Sequence, residues 1–452
     1  MSDAVAGASS DAGSLVVSGA VVTDARLAEP GSLYVARRGE HADGHDFVAQ
    51  AAERGAVAAL TDRPVPALPC VVVADVQEGF AALARAVVAR VPDLTVVAVT
   101  GSSGKTSTKD LLAQVLAELG PTVAAQESFN GEVGVPLTAL RVEAATRYLV
   151  LEMGARGVGH LRYLTQIVQP DISVVLNVGS AHVGEFGSVD AIAQAKAELV
   201  TDLPPEALAV LNADDPRVAA MASLTTARVV TFGMGGSADV RAEQVRLDDS
   251  GRASFTLVAG ADSAAVTLAL HGEHHVSNAL AVAAVALDLG MAVADVAGAL
   301  GRAQPASRWR MEVTERPDGV TIVNDAYNAN PDSVRAALKA LASMSAGRRS
   351  WAVLGEMREL GSASVVEHDG VGRLAVRLGV SKLVVVGEAA AAMHTGAVME
   401  GSWGDESVLV PDVDAAHDLL TEQLRPGDVV LLKSSRDAGL RWLGDRLAGI
   451  TR

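Results

Sequence analysis

The sequence predicts an α/β protein of three domains organised around a phosphate-binding loop. Its 452 residues exceed what one compact core accommodates. An apolar strand runs into a small-residue turn and then a helix at "VVAVTGSSGKTS", residues 96–107. Beyond that point continuous apolar runs alternate with helical segments, the pattern of parallel sheets covered on both faces. The predicted division is a small α/β domain with a disordered N-terminal tail over 1–93, a central P-loop domain with a parallel sheet over 94–305, and a C-terminal Rossmann-like α/β domain over 306–452.

Taken in order, "LVVSGAVVTD", "GSLYVAR" and "DFVAQAAERGAVAALT" give short strands and helices, and "RVPDL" is a linker into the phosphate loop. In the central domain "RYLVLEM" (147–153), "ISVVLNVG" (172–179) and "ALAVLNAD" (207–214) are apolar strands ending in polar residues. Between 229 and 272 apolar and polar residues alternate with polar turns, which predicts an antiparallel appendage. The stretch 279–300 is interrupted by Asp288, Gly290 and Asp295, so it reads as two short buried helices and not as a membrane span. After "GRAQPAS", the strands "VTIVNDAY", "RSWAVLGEM", "KLVVVGE" and "DVVLLKSS" alternate with helices in a second open sheet. Glu152, Asn177, Asp214, Asp325, Glu356 and Ser434 sit at C-terminal strand ends, where open sheets bind ligands, which predicts an active site between the two α/β domains.

Composition narrows the function. A net charge of −17 argues against a nucleic-acid partner and requires a local positive site for any anionic ligand. Cys70 is the single cysteine and, flanked by apolar residues, reads as core filler. The N-terminal residues show no basic stretch followed by an apolar one, so the expectation is a cytoplasmic protein with no membrane insertion.

The loop reads G-x-x-G-K-T, with Val99 where the longer phosphate loop would carry its first glycine. Gly101, Ser102, Ser103, Gly104, Lys105, Thr106 and Ser107 form the expected cradle. Backbone N–H groups and the helix N-terminus face phosphate oxygens, Lys105 supplies a full charge, and the Thr106 hydroxyl suits Mg²⁺. The loop alone does not separate kinase, GTPase and ligase. Glu152 offers a hard oxygen to a divalent cation. Asp171 precedes its strand, which favours a turn or cap. His182 lies in a Gly-rich loop, Lys196 and Glu198 on the helix after it, and Asn278 at the start of an apolar helix. "VNDAYNANPDS" gathers Asp325, Tyr327, Asn328 and Asn330 before Pro331 sets up a helix.

Together "TGSSGKTS", "FNGEVGVPLT", "LEMGA", "NVGSAHVGEFGS", "AKAEL", "LNADDP", "SNALAVAA" and "NDAYNANPDS" resemble the Mur ligases, ATP-dependent amide-forming enzymes of peptidoglycan synthesis. "DAYNANPDS" with "VLGEMRELG" is similar to the members that add D-alanyl-D-alanine to UDP-N-acetylmuramoyl-tripeptide. The resemblance implies a first domain holding the UDP-sugar, a central one holding ATP, and a third helping to bind nucleotide and amine. It implies phosphate and Mg²⁺ roles for Lys105 and Thr106, and metal roles for Glu152, His182 and Lys196, with two Mg²⁺ ions. Lys196 matches a lysine carbamylated in several members, so Lys105, Lys196 and His182 form the implied catalytic set. Asn278 matches an adenine-side asparagine, and Arg310 and Asp325 match nucleotide contacts. Asp24, Arg26, Asn130, Tyr327, Asn328 and Asn330 are the implied substrate contacts, and a monomer is expected. Three positions depart from the family pattern: Ala25 stands in place of Ser, Gly131 in place of Asn, and His275 in place of Asn. The competing expectations are the neighbouring ligase for a diamino acid and a non-catalytic nucleotide switch on the same fold.

Overall fold

A computed structural model describes residues 9–10, 15–39, 41–179, 183–402 and 404–450; His182 lies outside the described residues. The chain forms two compact units, one of Met1–Ala98, Gly120–Gly154 and Arg162–Asp171, the other of Val99–Leu119, Ala155–Leu161 and Ile172–Arg452.

In the first unit a five-stranded sheet has the order Ser9–Ser10, Cys70–Val72, Ala58–Thr61, Leu33–Val35, Val21–Val22. The first pair is antiparallel and the others are parallel. Short strands of Val, Leu and Ala bury both faces. Leu33, Val35, Leu60 and Val71 pack with Phe80, while Tyr34, Ala36 and Ala59 pack with Val48 and Ala51. The helix Val76–Val88 starts where the Asp75 carboxylate accepts from Glu78 N at 3.0 Å. Cys70 is buried, as a core residue should be. The same unit holds the parallel pair Thr122–Ala124 and Tyr148–Glu152.

In the second unit Ile172–Val175, Leu208–Asn212 and Arg228–Gly233 are parallel neighbours. The antiparallel appendage therefore begins later than the alternation at 229 suggests. Arg228–Gly233 completes the parallel array, Val240 and Arg241 continue it in parallel, and only Val240–Leu247, Arg252–Ala259 and Asp262–His271 pair antiparallel. The stretch 279–300 divides at Gly290 (φ +92°) into His274–Asp288 and Val293–Arg302, as the sequence requires. Among the described residues no helix is long and apolar enough to cross a membrane.

The C-terminal sheet of this unit has the order Glu312–Glu315, Thr321–Asn324, Val429–Lys433, Ser350–Leu354, Lys382–Val386, Ser407–Val410. Its first pair is antiparallel and the rest are parallel. Core residues fill both faces, with Leu338, Leu341 and Leu431 on one and Trp351, Leu432 and Leu443 on the other. Because Thr321–Asn324, Val429–Lys433 and Ser350–Leu354 are adjacent and parallel, the segments that leave them, 325–330, 434–437 and 355–359, emerge along one edge.

Candidate active site

Strand Thr95–Thr100 delivers the chain to the phosphate loop, and helix Lys105–Ala117 leaves it. The turn closes at Gly104, whose φ of +81° a side chain would strain; a Cβ there would lie 2.6 Å from Asn278 Oδ1. Asn177 fixes the loop from the neighbouring strand end. Its carbonyl accepts from Ser102 N (3.1 Å), its Oδ1 from Ser103 N (2.9 Å), and its Nδ2 donates to Ser103 O (3.2 Å). Gly179 N donates to Ser102 Oγ at 2.8 Å. Lys105 Nζ donates to Gly101 O at 2.7 Å, so the ammonium curls over the loop it serves. Asn278 is buried beneath Gly104, and its amide donates to His275 Nδ1 at 3.4 Å. Burial holds the His275 imidazole well below its ordinary pKa, with His274 and His271 adding to the shift. The ring is therefore a neutral acceptor in the place where the family pattern has an asparagine.

Arg310 reaches the loop from the C-terminal sheet, donating to Thr106 Oγ1 at 3.2 Å. It is presented by a strained backbone: Trp309 and Met311 on either side have φ of +57° and +51°. Each non-glycine residue in that region costs about 1–3 kcal/mol, so surrounding bonds must hold the segment. Trp309 N donates to Glu312 Oε2 (2.9 Å), Trp309 Nε1 to Asp445 (3.0 Å), and Met311 N to Asp325 Oδ1 (3.1 Å). The other oxygen of Asp325 receives Lys433 Nζ at 2.6 Å, and that ammonium also donates to the carbonyls of Asp325 (3.3 Å) and Asn328 (3.1 Å). Burial pulls the Lys433 pKa down while Asp325 acts to raise it. Asp325 thus fastens the Arg310 segment with one oxygen and is itself anchored by Lys433 through the other. Asn330 caps helix Pro331–Met344 in a capping box with Ser333, and its amide donates to Ser102 O at 3.4 Å. The Tyr327 ring lies 4.3 Å from the Arg310 guanidinium and 5.6 Å from that of Arg436. The Asn328 side chain is exposed.

Lys196 lies on helix Val189–Thr201 and is only 4% exposed. Burial, with the nearby Lys105 charge, drives its amine well below its ordinary pKa of 10.5. No described residue forms an ion pair with it. Glu198 on the same helix accepts from Gly159 N at 2.5 Å.

In the first unit Glu152 is buried and accepts from Asn130 Nδ2 at 2.8 Å. Asn130 also accepts from Gly154 N through its carbonyl (2.8 Å). Asp24 caps the turn Ala25–Leu27 and pairs with Arg26 at 2.7 Å, leaving the arginine outermost; that bond lowers the Asp24 pKa. Asp171 is neither turn nor cap: its carboxylate accepts from Val96 N at 2.7 Å. Asp214 accepts from Met234 N and Gly235 N, a fold role. Among the described residues no three His, Cys, Asp or Glu side chains converge as a ready metal nest.

Comparison with known proteins accounts for this arrangement. Residues 99–286 match the Mur ligase middle domain, 309–436 the Mur ligase glutamate ligase domain, and 19–105 the Mur ligase family catalytic domain. A UDP-N-acetylmuramoyl-tripeptide–D-alanyl-D-alanine ligase of Mycobacterium tuberculosis is 51% identical, the alignment covering 97% of this chain and 93% of that one. The chain belongs to the Mur ligase family. The correspondingly named Escherichia coli enzyme is 34% identical over 93% of this chain and 92% of its own. Among solved structures, a MurF from Acinetobacter baumannii superposes with a TM-score of 0.85 at 32% identity, covering 95% of this chain and 93% of that one. The MurF ligase from Thermotoga maritima in complex with ADP gives 0.82 at 28% identity, with 96% and 98% covered.

Several residues of this Mur ligase site escape a reading of the sequence. Lys433 sits inside an apolar strand and looks like its solvated end. Asn177 registers as a strand-end residue, yet its three bonds to the loop depend on which strand lies next door. His368 is fully buried and accepts from Met357 N (3.0 Å), which orders the "GEMREL" segment. Only Arg436, following "KSS" at a strand end, carries a local signal.

Proposed function

We propose that this Mur ligase joins the amine of D-alanyl-D-alanine to the terminal carboxylate of UDP-N-acetylmuramoyl-tripeptide, with ATP converted to ADP and phosphate. The observation that carries the reading is the grip of the "DAYNANP" side on the phosphate loop, through Arg310 on Thr106 and Asn330 on Ser102. A carboxylate is a poor acyl donor because its leaving group would be oxide. Accepting the γ-phosphoryl group turns it into an acyl phosphate, and the dipeptide nitrogen then displaces phosphate. Positioning and charge neutralisation dominate such a step. Ser102 N and Ser103 N are taken by Asn177, so the N–H groups that open helix Lys105–Ala117, with Lys105 and Arg310, supply both, and Asn278 with Asp325 contributes to holding the nucleoside.

Mg²⁺ is the expected partner, with two ions proposed. Thr106 and Glu152 are each proposed as a metal ligand, each carrying a hard oxygen suited to Mg²⁺, Glu152 as a buried carboxylate oriented by Asn130. His182 is proposed as a further ligand. When bound, the ion neutralises the phosphate oxygens. Lys196 is proposed to be carbamylated: its neutral amine adds to CO₂, the N–C bond forms, and the proton leaves to solvent. The depressed basicity of the buried amine supplies the nucleophile, and the resulting anion suits a metal. Asp24, Arg26 and Asn130 are proposed on the UDP-substrate side, and Tyr327, Asn328 and Asn330 on the dipeptide side. The division into 1–93, 94–305 and 306–452 follows this reading, as does action as a cytoplasmic monomer.

The test measures phosphate release from ATP and Mg²⁺ in two reactions. One contains the UDP-tripeptide with D-alanyl-D-alanine; the other contains the UDP-dipeptide with a diamino acid. Release in the first only, with a pentapeptide product by mass, is expected. Release in the second only assigns the neighbouring ligase instead, and ATP binding without release in either assigns a switch. For Lys196, the Lys196→Ala variant is inactive and regains turnover with added short carboxylic acids. Absence of rescue with ATP binding intact removes the carbamate.

A further inference from the structure

We propose that Arg436, seated beside the Tyr327 ring, is the subsite for the C-terminal carboxylate of the incoming dipeptide, an inference that rests on the ligase reading above. The amine substrate brings a full negative charge into a protein of net charge −17, so a dedicated cation must receive it.

Three arginines reach the edge where the sheet strands end. Arg310 is bonded to Thr106 of the phosphate loop. Arg358 is held by Glu356 at 3.0 Å and Asp437 at 2.7 Å. Arg436 is exposed and has no hydrogen-bond or ion-pair partner among the described residues; its one contact is the Tyr327 ring, 5.6 Å away. The nearest acid in sequence, Asp437, is already occupied by Arg358.

The backbone beneath Arg436 is held in place, which distinguishes it from an arginine waving in solvent. Ser434 is fully buried and donates to Ser435 O at 3.0 Å. Ser435 Oγ receives Arg358 N at 2.9 Å, and Ala438 N donates to Ser435 O at 3.1 Å. The guanidinium thus has one flank against an aromatic ring and its donor fork free, an arrangement suited to bidentate capture of a planar carboxylate.

Distance agrees with the length of the substrate. Arg310 and Arg436 flank the same ring, and their centroid distances of 4.3 and 5.6 Å bound the separation of the two guanidinium carbons at 9.9 Å. Arg310 marks the phosphoryl end. Two extended residues span about 7 Å, so a dipeptide with its amine at the acyl phosphate places its carboxylate within this range. On the ligase reading the phosphate oxygens go to the N–H groups opening helix Lys105–Ala117, to Lys105 and to Arg310, which leaves Arg436 for the other anion. The exposed side chain of Asn328, the residue after Tyr327, is assigned to the peptide carbonyl between the two ends.

The test compares D-alanyl-D-alanine with its C-terminal amide, D-alanyl-D-alaninamide, as acceptors for the parent enzyme, Arg436→Gln and Arg436→Lys. Phosphate release is measured with a separate KM for each substrate. The parent prefers the free acid. Arg436→Gln raises the KM for the acid about 10- to 100-fold, the scale of a lost charge-assisted pair. It brings the acid and amide to equal kcat/KM and leaves the KM for ATP unchanged, while Arg436→Lys keeps part of the preference. A preference that survives Arg436→Gln, or a rise in the KM for ATP in place of that for the dipeptide, overturns the subsite alone. A parent enzyme idle with both dipeptides overturns the ligase reading and the subsite with it.

Discussion

Replacing Lys433 with methionine removes one ammonium and keeps most of the side chain's volume. In the parent that ammonium donates to Asp325 Oδ2, Asp325 O and Asn328 O, and it is 3% exposed. Its loss leaves the Asp325 carboxylate, 9% exposed, with Met311 N as the remaining donor described to it. Breaking a buried pair by removing one partner costs about 3–5 kcal/mol, because an uncompensated charge stays behind. That is a large fraction of the roughly 5–15 kcal/mol that holds a domain. Urea unfolding followed by tryptophan fluorescence reads it directly, since all four tryptophans, Trp309, Trp351, Trp403 and Trp442, lie C-terminal to residue 305. The double variant Asp325→Ala/Lys433→Met holds no buried charge at this point, and we expect it to recover at least about 2 kcal/mol relative to the sum of the single losses. A second readout follows from Met311. Loosening Asp325 frees the strained Trp309–Met311 segment, so the KM for ATP rises as Arg310 leaves Thr106. A single variant that loses less than about 1 kcal/mol refutes the reasoning. So does a double variant whose loss equals the sum of the singles.

The buried amine of Lys196 weakens the fold in order to serve the site. Its pKa is depressed, so between that value and 10.5 the unfolded chain binds the proton that the folded chain has lost, and stability rises with pH across this window. In CO₂-depleted buffer, where the amine is unmodified, Lys196→Met should therefore raise the melting temperature near neutral pH and flatten its rise with pH, and it should abolish turnover in any buffer; a lower melting temperature contradicts the burial argument. Gly104→Ala forces φ of +81° on a side chain and presses on Asn278 Oδ1. It should cost about 1–2 kcal/mol in loop stability and weaken ADP binding by calorimetry, and adding Asn278→Ala should relieve only the contact, so full recovery of stability in the double variant would contradict a backbone origin. Tyr34, buried and donating to Gly44 O at 2.9 Å, has its pKa pushed up to about 12 by burial, with Asp24 and Asp43 adding. Stability should fall as pH rises from about 10 to 12; burial also raises the Tyr163 hydroxyl, so ultraviolet titration should show late ionisation from both tyrosines, and Tyr34→Phe should remove only the Tyr34 share.

The parts of this site that could be read from the sequence are those that chain neighbours build. A strand, a glycine turn and a helix that begins at Lys105 are contiguous, so the phosphate cradle declares itself in a dozen residues. Asn330 and Pro331 likewise announce a helix start. The fastening of Arg310 is different in kind. Asp325 and Lys433 are 108 residues apart, and they meet only because Thr321–Asn324 and Val429–Lys433 are neighbours in the sheet. Nothing in either residue type encodes that adjacency. The positive φ of Trp309 and Met311 is equally hidden, since neither residue favours the left-handed region on its own. Their conformation is imposed by Asp325, Glu312 and Asp445.

This difference has a functional consequence. The loop proposed to bind phosphate is shaped by its own Gly104 and pinned from the adjacent strand end by Asn177. The arginine that reaches it is held by a buried ion pair and a strained turn in the C-terminal sheet. Catalytic geometry therefore depends on the integrity of that sheet as well as on the loop, and substitutions far from Lys105 in sequence, at Lys433 or Asp445, should disturb nucleotide use before they disturb the loop itself. A motif-based reading would class such positions as fold residues. The chain of bonds from Lys433 through Asp325 and Met311 to Arg310 and Thr106 makes them part of how the site is set.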